Sequence, residues 1–181
     1  LSSGDIDTYS WDFNGDGVED STLANTPYTY ESPDTYTVSL TVTGLGGDQP
    51  PAKTDIITVY APAAANFSAT PTSGIAPLTV QFNNLSSGDI DTYSWDFDND
   101  GTPDSTEYEP SYTYTSAEMY TVSLTVSGPG GGDTSRQTDI ITVYEPVTAD
   151  FSASPMEGQV PLAVQFTNHS SGDFDTFAWD F

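Results

Sequence analysis

An all-β fold, built as tandem β-sandwiches of roughly seven strands each, is what this chain predicts, and three observations predict it. Segments in which apolar and polar residues alternate one for one recur along it, Gly, Pro, Asn and Asp cluster between them, and no stretch carries a helical period. The chain also repeats itself. Residues 1–13 recur unchanged as 85–97, 36–42 as 120–126 and 54–60 as 138–144, always at an offset of 84. Trp95 recurs as Trp179 and Phe67 as Phe151 at the same offset, so no insertion breaks the register. A period of that length is a domain-sized unit. It divides the chain into 1–61, the later part of one repeat; 62–145, a complete repeat; and 146–181, the opening of the next.

Within the complete repeat, residues 65–69 predict a short first strand, closed by a turn at Pro71-Thr72-Ser73-Gly74. Leu78, Val80 and Phe82 alternate with Thr79 and Gln81 in a second strand that buries one face. Tyr93, Trp95 and Phe97 alternate with Ser94 and Asp96 in a third, with Trp95 as its core anchor. After an acidic loop, residues 112–114 read as a brief strand and 120–126 as the clearest one. Its apolar face is Tyr120, Val122, Leu124 and Val126, and its wet face is threonine and serine. Residues 128–133, Gly-Pro-Gly-Gly-Gly-Asp, predict a flexible hairpin loop, and 139–144 the closing strand.

Half a β-domain leaves unpaired edges and a half-covered core. The chain therefore reads as a segment of a longer tandem array, an expectation that its start at Leu1 and its lack of a signal peptide support. The alternative is that terminal halves of neighbouring molecules complete one domain. The links at 60–63 and 144–147 are short and each holds a proline, which stiffens them. Consecutive repeats are expected to keep a defined mutual orientation.

Charge narrows the function classes. There are 27 acidic residues against Lys53 and Arg136, a formal net charge of −25, and no cysteine. Nucleic acid is excluded as a partner because phosphate contacts need clustered Lys and Arg. Disulfides and thiol chemistry are excluded outright. No apolar run is long enough to span a membrane. So much like-sign charge favours dissolved cations as ligands, and by itself it equally suits solubility or adaptation to high salt.

The acidic loop is where a cation would sit. From Asp96 the spacing follows D-x-[DN]-x-[DN]-G-x5-E, with Asp96, Asp98, Asp100, Thr102 at the seventh place, Asp104 at the ninth and Glu107 at the twelfth. Calcium takes six to eight oxygens at roughly 2.3–2.6 Å, and a loop bent at a glycine, here Gly101, converges that many. The spacing predicts Ca2+ here, in a loop set between strands rather than helices. A polar hairpin turn is the plainer reading. The earlier copy offers Asp12, Asn14, Asp16, Val18 and Asp20 but has Leu23 where the terminal Glu should be, which predicts weaker binding.

Three N-x-[ST] sequons mark Asn66, Asn84 and Asn168 as candidate glycosylation sites. Asn84 and Asn168 share one place in successive repeats, whereas Asn66 abuts core Phe67 and is the less favoured. Catalysis finds little support. His169 is the single histidine, so neither a triad nor a histidine zinc site can be assembled. A carboxylate dyad would need a cleft that a small, aromatic-filled sandwich does not leave.

Trp95-Asp96-Phe97, the Tyr112-x-Tyr114 element and the 120–126 strand, in that order, resemble the PKD (polycystic kidney disease) domain, an immunoglobulin-like sandwich. The resemblance spans the chain through its repeat. It implies a non-catalytic extracellular or cell-surface module of the kind found in surface-layer proteins, in adhesins and beside the catalytic domains of secreted hydrolases. The near-identical copies and the acidity resemble archaeal surface proteins most. One departure is the loop: the usual Gly-Asp-Gly is here Asp98-Asn99-Asp100-Gly101.

The expected function is a structural segment of a fibre, stalk or surface layer, stiffened by Ca2+. Its partners would be copies of itself, side by side or head to tail, with surface glycans as a further possibility. The alternative is an accessory carbohydrate-binding or spacer module of a secreted hydrolase or adhesin. Sugar platforms need exposed aromatics, and each Trp here lies in core phase, which ranks that reading second.

Overall fold

The computed structural model describes residues 6–46 and 49–181, which divide into two compact units, Leu1–Pro62 and Ala63–Phe181. Among the described residues there is no helix, and so none long and apolar enough to cross a membrane. The first unit holds β1 (Ile6–Asp12), β2 (Asp34–Gly44) and β3 (Gln49–Val59) as one antiparallel sheet in that order. Trp11 stands opposite Leu40.

The second unit contains the complete sandwich: β4 (Phe67–Thr70), β5 (Ser73–Ile75), β6 (Leu78–Asn84), β7 (Thr92–Asp96), β8 (Ser111–Tyr114), β9 (Met119–Gly128) and β10 (Gly131–Tyr144). One sheet runs β4-β6-β8 and the other β5-β10-β9-β7. Alternation along each strand puts one row of side chains between the sheets. β6 does so without exception over Leu78, Val80 and Phe82, and β9 contributes Val122, Leu124 and Val126. Trp95, 0% exposed, sits among them. Its ring lies 5.3 Å from Phe67 and 5.6 Å from Phe82, in the edge and tilted geometries that aromatic quadrupoles favour.

Two segments depart from the sequence reading. Residues 71–74 do not form a simple turn, because Ser73–Ile75 is β5, paired in parallel with residues 142–144 of β10. Three residues are too few to display a period, so only their backbone partners define them as a strand. Residues 128–133 are not a loose loop either: β9 and β10 stay in register out to Gly128 opposite Gly131, which leaves a two-residue turn at Pro129 and Gly130. Gly131 takes a φ of 104°, open to glycine at little cost. A β-carbon at Gly128 would come within 2.5 Å of the Asp89 carbonyl, so the chain passing at 89–91 requires glycine there.

Tyr114 closes the bottom of the core. Its hydroxyl donates to the Phe97 carbonyl at 3.1 Å, and the first unit repeats the contact between Tyr30 and Phe13 at 3.0 Å. Burial, with smaller contributions from Tyr112, Tyr120 and Asp104, pushes the Tyr114 hydroxyl above the ordinary tyrosine range. The unfolded chain would ionise this tyrosine near pH 10 while the folded chain keeps it protonated. Stability is then unaffected below about pH 10 and falls above it. In an alkaline titration followed by tyrosinate absorbance and circular dichroism, one tyrosine of the middle repeat should ionise only as the β signal is lost. Tyr114→Phe should remove that step and cost about 1 kcal/mol from the lost hydrogen bond.

The remaining residues of the second unit, 146–181, repeat only the start of the sandwich. β11 (Phe151–Ser154) and β12 (Gln165–Asn168) pair as the counterparts of β4 and β6. The Trp179 segment forms no strand, and Trp179 is 37% exposed.

Candidate metal centre

The acidic loop is built on the Trp95 strand. β7 delivers Asp96 at its end, residues 98–103 swing out, and the chain returns beside Trp95. The return is fastened by backbone bonds: Trp95 N–H donates to the Ser105 carbonyl at 2.8 Å, and Asp104 N–H to the Trp95 carbonyl at 2.7 Å. The indole Nε1 donates to the Glu107 carbonyl at 2.8 Å. The Phe97 N–H donates to Asp104 Oδ2 at 2.7 Å. Asn99 and Gly101 take φ values of 57° and 88°, which makes the bend tight.

That closure brings three carboxylates together. One oxygen each from Asp96, Asp98 and Asp104 lie within 4.8 Å of one another, which matches oxygens sharing one calcium at roughly 2.3–2.6 Å. Asp96 Oδ2 accepts from Gly101 N–H at 3.0 Å, but Asp96 Oδ1 is buried with no hydrogen-bond partner. A buried carboxylate oxygen without a partner is costly, and a cation on this cluster would satisfy it. Desolvation, with the carboxylates of Asp100, Asp104 and Asp96 adding to it, holds Asp98 above the usual aspartate range despite a bond from Asp100 N–H. By charge and by geometry, the donor set fits a hard divalent ion.

The other predicted ligands fall elsewhere. Asp100 Oδ1 is occupied by the Thr102 N–H at 2.6 Å, and Asp100 is not one of the converging three. Glu107 presents its backbone carbonyl to the indole, and its carboxylate is not in the group either. The carboxylates that converge are thus those of Asp96, Asp98 and Asp104, while that of Glu107, at the twelfth place, stands outside the group. The fastening through Trp95 Nε1 and the Tyr114 hydroxyl lay outside the sequence reading of the site. Its signal was Tyr112-x-Tyr114, seen only as a strand.

The first copy follows the same path with different chemistry. Its return is fastened by Trp11 Nε1 on the Leu23 carbonyl at 2.9 Å and by Phe13 N–H on Asp20 Oδ2 at 2.7 Å. Both oxygens of Asp12 are taken by backbone amides: Oδ1 by Gly15 at 2.6 Å and Oδ2 by Gly17 at 2.9 Å. Asn14 and Asp16 bond each other, and Val18 N–H caps Asp16. Desolvation pushes Asp12 upward, but the amides of Gly17, Gly15, Asn14 and Asp16 outweigh it and leave its carboxyl below the ordinary range. The loop satisfies itself.

Burial also reorders the sequons. Asn84 is only 7% exposed, with its Nδ2 buried and unpartnered and its Oδ1 accepting from Ser86 N–H at 2.9 Å. In the folded repeat that amide is buried, unlike the exposed position its ranking as a favoured acceptor expects. Asn66 is exposed, and Asn168 is half-buried with the same bond to Ser170 N–H.

A family model described as the PKD domain matches residues 1–59 and again 60–143. The chain belongs to the PKD domain family. The complete PKD repeat and the first partial one thus carry the same match, in agreement with the repeat offset. Among curated proteins the chain is similar to the pre-pro-metalloprotease PrtV of Vibrio cholerae, 41% identical over 66 residues. That match covers 36% of this chain and only 7% of the metalloprotease. Among solved structures, the PKD1 domain of the Vibrio cholerae metalloprotease PrtV is 40% identical, with 45% of this chain and 96% of that domain covered and a TM-score of 0.37. The PKD1 domain of Vibrio anguillarum Epp is 36% identical, with 47% and 99% covered and a TM-score of 0.38.

Proposed function

We propose that this chain is a non-catalytic structural segment of an extracellular or cell-surface protein, a fibre, stalk or surface layer of tandem PKD repeats hardened by Ca2+. Residues 1–61, 62–145 and 146–181 are taken as its successive repeats. The observation that carries the reading is the convergence of Asp96, Asp98 and Asp104 around a buried, unpartnered oxygen. Asp96, Asp98 and Asp104 would hold the ion in the middle repeat, with water and the loop's carbonyls completing its shell. Asp12, Asn14, Asp16 and Asp20 would form a weaker site, because their amide bonds must be given up first. A bound ion would cross-link the exit and return of the loop, and so brace the Trp95 strand. A glycan on Asn66 suits an exposed surface.

Similarity to a domain of a metalloprotease favours a second reading, a spacer that holds a catalytic domain away from a surface. A sugar-binding role finds less support in the middle repeat, whose tryptophan is wholly buried.

The test is a calorimetric calcium titration of the 181-residue chain beside Asp98→Asn. We expect one clear site per chain, lost or weakened at least tenfold in the variant, with a second, weaker event from the first loop. Absence of any heat, with no change of melting temperature in chelator, would reduce the loop to a polar turn and remove calcium from the proposal.

A further inference from the structure

We infer that Asn14-Gly15, in the first acidic loop, is a self-modifying site: the Gly15 nitrogen attacks the Asn14 side-chain amide, ammonia leaves, and residue 14 becomes aspartate or isoaspartate. The reaction rests on the geometry of that loop and needs no calcium.

Asn14 is the only asparagine of the chain that a glycine follows. Its neighbouring backbone nitrogen is therefore the only one of its kind that no side chain shields. The loop holds the reacting groups in place. Asn14 Oδ1 accepts from Asp16 N–H at 3.0 Å, and Asn14 Nδ2 donates to Asp16 Oδ2 at 3.0 Å. A side chain bonded to the backbone two residues onward is folded back across the residue between, here Gly15. The Gly15 N–H donates to Asp12 Oδ1 at 2.6 Å, within the reach that a general base needs. Asn14 and Gly15 are both exposed, so water reaches them.

The step balances without a cofactor or an oxidant. A bond forms from the Gly15 nitrogen to Asn14 Cγ, and the Gly15 amide proton passes to Asp12 Oδ1. The negative charge that grows on Asn14 Oδ1 meets the Asp16 N–H already bonded to it. The Cγ–Nδ2 bond then breaks, and Nδ2 leaves as ammonia with the transferred proton, which closes a five-membered imide. Water opens the ring at the Cγ carbonyl to give aspartate, or at the main-chain carbonyl to give isoaspartate. One water is consumed and one ammonia released. The middle repeat already has aspartate at the matching place, Asp98, and has Asn99 in place of Gly15, at a φ of 57° against 77°. The bend itself therefore accommodates a side chain. One consequence rests on the calcium function proposed above: conversion to aspartate would give the first loop carboxylates at 12, 14 and 20, the places of Asp96, Asp98 and Asp104.

The test incubates the full chain at neutral pH in chelator, folded and unfolded in guanidinium, and follows residue 14 by peptide mass and by enzymatic labelling of isoaspartate. We expect conversion in the folded chain at a rate equal to or above that of the unfolded chain, with the other asparagines unchanged. A folded rate below the unfolded one would overturn the inference, because the loop would then be guarding Asn14. Gly15→Asn, which copies the bend of the middle repeat, should keep the β signal and slow the conversion at least tenfold. Conversion as fast as in the parent would exclude attack by that nitrogen and overturn the inference as well. Calorimetric titration of Asn14→Asp reads the consequence apart from the reaction: the weaker calcium event should tighten towards that of the middle repeat. An unchanged weak event beside an intact strong one would strike the consequence, and no heat from either loop would strike the calcium function. The mass readout decides the reaction in both cases.

Discussion

Replacing Trp95 by alanine should strip the middle repeat of a large part of its stability and lower its melting temperature steeply, the largest effect expected of any single substitution. The ring is fully buried among Phe67, Phe82 and Phe97, and removing it leaves a cavity that the two sheets cannot close. Truncations of this kind cost about 3–5 kcal/mol. A domain of this length has roughly 4–13 kcal/mol in all, at about 0.05–0.15 kcal/mol per residue. Loss of the indole also unfastens the acidic loop, because Nε1 no longer holds the Glu107 carbonyl. Trp95→Phe separates the two roles. It should keep most of the core, lower the melting temperature by several degrees and weaken calcium binding, since the loop's return then loses its tie to the indole and keeps only its backbone bonds and the Phe97 N–H bond to Asp104. Thermal melts by circular dichroism, with and without calcium, would read both. A Trp95→Ala chain that melts within a degree or two of the parent would mean that the core is not where the geometry places it.

The second large effect reverses sign with the solvent. Asp96→Asn retains an acceptor for Gly101 N–H, removes one of three converging charges and supplies an amide that can donate to Asp98 or Asp104. In chelator the variant should be more stable than the parent by about 1 kcal/mol, the typical value of a recovered hydrogen bond. With calcium at a hundred times its dissociation constant, the parent gains about 2.7 kcal/mol that the variant forgoes. The two melting curves should therefore exchange order when calcium is added. If the variant were less stable in both solvents, Asp96 would be a structural residue of the turn and the metal reading would fail.

The parts of this fold that were legible in the sequence are those that fill a period. Leu78, Val80 and Phe82, or Val122, Leu124 and Val126, announce a buried face because each strand runs long enough for two or three alternations. β5 was hidden because three residues define no period and its identity lies in the backbone of β10. The turn at Pro129 and Gly130 was hidden by its own composition, since glycines that let a ladder continue look the same as glycines that loosen a loop. At the acidic loop, spacing marked the segment and the bend but not which carboxylates approach one another, because the order of carboxylates along a chain says nothing about where the returning chain carries them. The closure at Trp95 decides that, and it brings Asp104 beside Asp96 and Asp98, with Glu107 outside the group. The burial of Asn84 was hidden for a related reason: a sequon is local, whereas the burial of its side chain is set by the sandwich.

The fastening of the loop has a further consequence. Both copies anchor the return to an indole through a main-chain carbonyl, Glu107 in one and Leu23 in the other. A main-chain group is present whatever residue occupies the position, so the framework does not depend on the side chains it displays. On the calcium reading proposed above, each link of an array would be retuned separately, from ion-hungry to indifferent, by one or two changes such as Asp98 for Asn14, with no refolding of the link itself. Such an array would be graded along its length, its stiffness at a given calcium level written link by link.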